Sequence, residues 1–104
     1  MLFEQVTDMM VLISYDVNTS DEGGKRRLRK VAKECQNHAQ RVQNSVFEAD
    51  LDYGKFLLLK NNLIKIIDSK KDSLRFYYLG NDWEKKVEHI GAKETYNPQG
   101  VIII

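Results

Sequence analysis

A chain of 104 residues accommodates one small domain. Hydrophobic residues make up 42% and charged residues 30%, a mixture that folds rather than staying disordered. Sixteen Lys and Arg against fifteen Asp and Glu give a net charge of +1, so only the distribution of charge, not its total, can point to nucleic acid. The single cysteine, Cys35, excludes an internal disulfide framework and a cysteine zinc site. No apolar run approaches the roughly 18 residues of a membrane span, and no basic start leads into an apolar signal region. These features lead us to expect a soluble, cytoplasmic protein that does not associate with membranes. A domain this small buries only about 60–65% of its unfolded surface, so help from a partner chain is expected.

Residues 1–8 (MLFEQVTD) fit poorly with the strand pattern after them, and the Met9-Met10 pair directly before the first strand offers a second start. We treat residues 1–8 as an extension and residues 9–104 as a single domain. Residues 10–16 (MVLISYD) form a continuous apolar, β-branched run closed by a carboxylate. Such a run predicts a strand buried on both faces and central in a sheet. Met10, Leu12, Ser14 and Asp16 share one of those faces.

Residues 17–24 (VNTSDEGG) form a loop in which Thr19 and Glu22 have capping-box spacing, and Ser20 or Asp21 offer other caps. From Lys25 onward, Leu28, Val31, Ala32, Cys35 and Ala39 fall at helical intervals and make one apolar stripe. Residues 41–51 (RVQNSVFEADL) are extended, but their alternation changes parity. A break at Asn44-Ser45 therefore separates two short strands. Asp52 has the look of an N-cap. Phe56, Leu59, Leu63 and Ile66 then continue a second amphipathic helix to about Asp68. Residues 69–72 (SKKD) are a polar turn, residues 73–79 (SLRFYYL) a strand, and residues 80–82 a turn. Residues 86–90 read as a short edge strand, and residues 101–104 (VIII) as an apolar tip. The order is that of an α+β, ferredoxin-like βαββαβ sandwich: an antiparallel sheet with two helices on one face and an extra C-terminal strand. An exposed apolar tip invites aggregation, so we expect it to add to a sheet edge, its own or a partner's.

Asp16 is the first candidate for chemistry. A carboxylate closing a buried strand lies at the sheet margin, where a hard cation keeps some of its water. On isolated grounds an Asx turn that caps the loop is the commoner role. One carboxylate is thin equipment for Mg²⁺, but a two-fold dimer would supply its copy. The run KRRLRK is the second candidate. Cations early in a helix oppose its dipole, a placement that makes sense if phosphate is the missing counter-charge. A solvated helix face explains the run equally well. Arg41 adds a further cation. His38 and His89 read as ordinary surface histidines and Cys35 as a small core residue. Phe76, Tyr77 and Tyr78 read as sheet core rather than base-stacking platforms, since no RNP1 pattern is present. Gly23-Gly24 lacks the Gly-Lys-Ser/Thr ending of a phosphate loop.

Taken together, SYD closing the first strand, RRLRKVAKEC, RVQNSVFEADL and DSLRFYYLG resemble the small nuclease subunit of CRISPR adaptation, the lesser of two core proteins that acquire new spacers. The resemblance runs from about Met10 to Ile104. It implies a homodimer of ferredoxin-like subunits in which Asp16 stands at the dimer cleft as catalytic and metal-binding residue. It further implies an endonuclease that uses Mg²⁺, or Mn²⁺ in its place, on RNA or double-stranded DNA. By the same resemblance Arg27, Arg29 and Arg41 contact nucleic acid, with Tyr15, Ser45 and Phe47 in support, and the dimer bridges copies of a larger integrase. A symmetric single-metal site leads us to expect slow catalysis or none. The readings to be separated are a metal-dependent phosphodiesterase, a non-catalytic nucleic-acid-binding scaffold, and a ferredoxin-like regulatory module.

Overall fold

The computed structural model describes residues 8–79, 86–92 and 101–103. Residues 1–7 of the expected extension, the expected turn at 80–82 and Ile104 lie outside the described residues. Strand β1 (Asp8–Asp16) runs through the middle of the sheet. It pairs antiparallel with β3 (Val46–Asp52) on one side and with β4 (Ser73–Leu79) on the other. Strand β2 (Gln40–Gln43) flanks β3, and β5 (Lys86–Gly91) flanks β4. Strand β6 (Val101–Ile103) pairs parallel with β5, giving the order β2-β3-β1-β4-β5-β6. With helices α1 (Glu22–His38) and α2 (Tyr53–Ile66) in their places, β1 to β4 complete the expected βαββαβ unit.

Period-two alternation divides β1 into unequal faces. Val11, Ile13 and Tyr15 are buried in one core with Val31 and Cys35 of α1 and Phe56, Leu59 and Leu63 of α2. On the other face Met10 is 38% exposed and Asp16 is also exposed. The expectation of burial on both faces is thus corrected. The helices cover one side, and the apolar run reads as continuous because the open side also carries Met10 and Leu12. Two further expectations change at the far edge. Strand β5 is interior rather than an edge, because the C-terminal strand adds to it. The tail therefore finds its partner in its own chain, and it gives no separate argument for a dimer.

Local chemistry explains the helix starts. Asp21, rather than Thr19, caps α1, its Oδ1 accepting from the Gly24 backbone N–H at 2.7 Å. Asp52 caps α2 as expected, accepting from the Lys55 N–H at 2.8 Å. The parity change in residues 41–51 becomes a turn at Asn44-Ser45 plus a register shift between Arg41 and Gln43. Phe56 meets Phe76 edge-on, with ring centroids 5.8 Å apart, and Tyr78 in the same way at 5.7 Å. Glu88 of β5 accepts from Lys60 Nζ at 2.7 Å and from the Tyr78 hydroxyl. That network fastens α2 to the outer half of the sheet.

Two substitutions test this packing. Phe56→Ala empties the contact between α2 and β4 and is expected to destabilise the domain by about 3–5 kcal/mol. Gly91 has φ +124°, and a Cβ there would run into the Asp72 carbonyl oxygen. Gly91→Ala is expected to cost at least ~2 kcal/mol. Urea unfolding of each variant beside the parent protein measures both.

Candidate active site

Asp16 is the last residue of β1 and pairs across with Ser73, the first of β4. Beside them opens a cavity of about 460 Å³ at the end of the sheet. Ser14, Asp16 and Ser73 line it from the strands, Ser45 from the β2–β3 turn, Thr19 from the loop after β1, and Arg75 from β4. The donors here are a carboxylate and hydroxyls, oxygen groups suited to a hard cation such as Mg²⁺ or Mn²⁺. Among the described residues no three His, Cys, Asp or Glu side chains converge on one point. The donor chemistry therefore fits such a metal, and the ligand count of one chain does not suffice.

The loop after Asp16 is held by a buried carboxylate. Asp72 is fully buried and accepts four hydrogen bonds. Arg27 Nε gives one at 2.7 Å and Arg27 Nη2 another at 3.2 Å. The backbone N–H groups of Asn18 (3.0 Å) and Asp68 (2.9 Å) give the others. Its backbone carbonyl accepts from Ala92 N–H at 2.9 Å. Burial alone would raise this carboxyl, but the Arg27 bonds and the two backbone donors outweigh it and hold the pKa below the usual value. Lys71 adds a surface pair to Asp21 at 3.4 Å. Residues 69–72, which the sequence shows as a polar turn, thus contain the anchor of the whole end of the sheet.

This anchor decides where the three expected arginines stand. Arg27 is committed to Asp72, whereas Arg29 is exposed on α1 beside Arg26 and Lys30. Arg41 is exposed on β2 and lies 5.0 Å from the Phe47 ring centroid. Phe47 in turn stacks on Tyr15 at 6.1 Å. The Tyr15 hydroxyl donates to the Asn44 carbonyl at 3.3 Å, and Tyr15 N–H donates to the Ser45 carbonyl at 3.1 Å. Burial raises the Tyr15 pKa, with Arg41 offsetting part of the rise. Asp16, Tyr15 and Ser45 thus meet at the cavity, and Phe47 and Arg41 back them on the helix side. Arg27 supports the loop from behind, and Arg29 is separate from this group.

Sequence reading missed Arg75 and misjudged His89. They form a cross-strand pair on the open face, with Ser14 on the other side of Arg75. Arg75 Nη1 donates to the Tyr77 hydroxyl at 3.0 Å. His89 is 2% exposed rather than a surface residue. Burial, then Arg75, lowers its pKa. The Gly91 backbone offsets this in part, yet neither ring nitrogen has a hydrogen bond of normal geometry. The alternation of β4 puts Arg75 on the face of Asp16, and the pairing register was the missing information. Cys35 is core, as expected, with burial raising its pKa to about 12.

Residues 9–87 match the family model described as CRISPR associated protein Cas2. The chain belongs to the Cas2 family. It is 55% identical over 96 residues to the CRISPR-associated endoribonuclease Cas2 of Nitratidesulfovibrio vulgaris, covering 92% of this chain and 94% of that protein. It is 57% identical over 95 residues to the CRISPR-associated endonuclease Cas2 of Halalkalibacterium halodurans, covering 91% and 99%. The crystal structure of Streptococcus pyogenes Cas2 at pH 6.5 superposes with a TM-score of 0.65 at 55% identity, over 72% of this chain and 90% of that one. The Cas2 fold thus agrees with the expected α+β sandwich. No helix among the described residues is long and apolar enough to cross a membrane.

The Asp72 anchor carries a pH signature. Its depressed pKa means that the ionised form stabilises the fold fully above about pH 4, and that this stability is lost as pH falls through the folded value. Acid unfolding of the parent protein is expected to steepen below about pH 4. Asp72→Asn should melt more than about 5 °C lower at pH 7 and show a flatter acid limb. Arg29→Ala, by contrast, should leave the melting curve unchanged.

Proposed function

We propose that the chain is a Mg²⁺-dependent endonuclease of CRISPR adaptation, hydrolysing phosphodiester bonds of RNA or double-stranded DNA, and that it works as a homodimer. The observation that carries this reading is the placement of Asp16. It is an exposed carboxylate at the end of the central strand, beside an oxygen-lined cavity, in a chain whose relatives are named endoribonuclease and endonuclease. One carboxylate per cavity favours two copies, with Asp16 of each protomer holding one Mg²⁺, or Mn²⁺ in its place. The sheet face that carries Asp16 also carries Met10 and Leu12 without helices over it, an apolar surface suited to a second copy. When bound, the metal would polarise water and offset charge on the phosphate. Arg29 and Arg41 would contact the backbone, and Arg27 would keep the loop in place. With so few ligands, turnover is slow.

A second reading makes the dimer a DNA-binding scaffold between copies of a larger integrase, with cleavage incidental. The spare ligand set favours it. Family membership leaves the regulatory-module reading without support.

Asp16→Asn separates the two. It is expected to abolish Mg²⁺-dependent cleavage of labelled RNA and duplex DNA while keeping the fold, the dimer mass in light scattering, and binding to DNA. Undiminished cleavage by a pure Asp16→Asn protein would remove Asp16 from the chemistry. A strictly monomeric parent protein would remove the two-carboxylate site. Replacing Arg29 and Arg41 with Ala should weaken duplex binding evenly across sequences and flatten its salt slope by about one unit per lost contact.

A further inference from the structure

We propose that the outward face of α2 is a docking site for an acidic amphipathic α-helix of a partner protein. The inference is independent of the nuclease reading. α2 buries Phe56, Leu59 and Leu63 in the core. A helix held by one apolar face commonly turns polar groups to water on the other, and α2 does so only in part. Leu58 is 53% exposed, and Tyr53 and Ile64 are exposed as well. Gly54, Leu57, Asn61 and Ile64 recur at intervals of three, four and three residues, the spacing of a seam between two helices. Leu58 and Lys65 flank that seam on one side. Gly54 suits it too. Beyond its immediate neighbours, a Cβ at Gly54 would meet only the Asp52 carboxylate, at 3.6 Å. The fold itself therefore leaves room there for a side chain, and glycine admits the close approach of a second backbone.

The face is fixed in advance of any encounter. On one flank Asn62 donates to Glu34 of α1 at 2.8 Å, and on the other Lys60 donates to Glu88 of β5 at 2.7 Å. These two ties hold α2 against rolling its apolar groups inward, so a ligand meets them already ordered. Charge identifies the occupant. Lys55, Lys60 and Lys65 stand in α2 with no Asp or Glu among them. Asp52 precedes the helix, and its carboxylate is engaged as the cap. Lys60 is committed to Glu88, whereas Lys55 and Lys65 are exposed and form no ion pair among the described residues. Two α2 faces brought together would set lysines against lysines, which disfavours a second copy. Nucleic acid would match the lysines, but Leu58 and Ile64 offer nothing to phosphate. A helix with Leu or Ile along its seam and Glu on its flanks matches both. In a dimer formed through the open sheet face, each α2 lies on the far side of its sheet, so the dimer presents the site twice.

The probe is a synthetic three-heptad peptide with Leu at positions a and d and Glu at e and g. It is titrated into the full chain and followed by calorimetry and amide shifts. The peptide should bind with micromolar affinity, as suits a face only 14 residues long, and shift the amides of residues 54–65. The same peptide with Lys in place of Glu should bind at least tenfold more weakly. Leu58→Glu and Lys65→Glu should each weaken the acidic peptide at least tenfold with a parental melting curve, since both side chains are exposed. In the native host, a photocrosslinker at position 58 should capture a protein segment of the same acidic heptad composition, and the peptide should compete with it. Absence of peptide binding, shifts confined to α1 or to the open sheet face, or parental affinity in both folded variants would each overturn the proposal. A fall in light-scattering mass on Leu58→Glu would overturn it by making the face a contact between copies. Binding to phosphatidylglycerol vesicles that needs Leu58, or capture of nucleic acid alone at position 58, would overturn it in favour of that other ligand.

Discussion

The ion pair between Arg27 and buried Asp72 governs this end of the molecule. It joins three segments that are distant in sequence: the loop after β1, the first turns of α1, and the corner between α2 and β4. A carboxylate removed from water is tolerated only when its lone pairs are filled, and Asp72 fills them with one guanidinium and two backbone donors. The consequence is positional. Ser73 comes directly after Asp72 and pairs with Asp16, so the register that carries Asp16 to the sheet end is set beside this anchor. Close packing reinforces it. Gly24 sits against the Asn18 carbonyl with no room for a Cβ, and Gly91 does the same against Asp72. The end of the sheet that holds the candidate chemistry is therefore rigid on its helix side and open on the other.

Much of the fold can be read from hydrophobic period and turn chemistry. The stripe of α1, the cap at Asp52, the parity change before Phe47 and the β-branched first strand each state a local rule that the tertiary structure keeps. What could not be read is what depends on pairing between distant strands. β5 looks like an edge because its neighbour β6 pairs with it parallel, and no local pattern announces a parallel partner. His89 looks like a surface group because a lone histidine carries no burial signal of its own. Asp72 in a run of Lys and Asp looks like solvent-facing turn chemistry. Its partner lies 45 residues away.

The candidate site shows the same division. Asp16 is legible as a carboxylate that ends an apolar run, and Arg41 as an isolated cation in an extended segment. Arg27 is also conspicuous, but as one of a row of cations. Helical geometry turns it inward while Arg26, Arg29 and Lys30 stay outside. A basic run on a helix therefore holds two kinds of arginine, one paired to a buried carboxylate and the others exposed. Arg75 is hidden for the opposite reason. Within SLRFYYL it interrupts an aromatic strand, and only the β1–β4 register shows that it shares a face with Asp16.

The stack of Tyr15, Phe47 and Arg41 bears on specificity. A free arginine side chain samples many rotamers and gives up that freedom on binding, at a cost of up to about 2 kcal/mol. Arg41 rests on a ring that is itself fixed in the core, so part of that ordering precedes any encounter. Its reach is set by the backbone of β3 rather than by the ligand. A cation held at a fixed distance from the sheet end measures the spacing between phosphates, whereas a mobile one merely tracks charge. With Arg41 in the backbone contact proposed for it, the aromatic pair would convert a general attraction into a ruler that sets how far from Asp16 a bound strand passes.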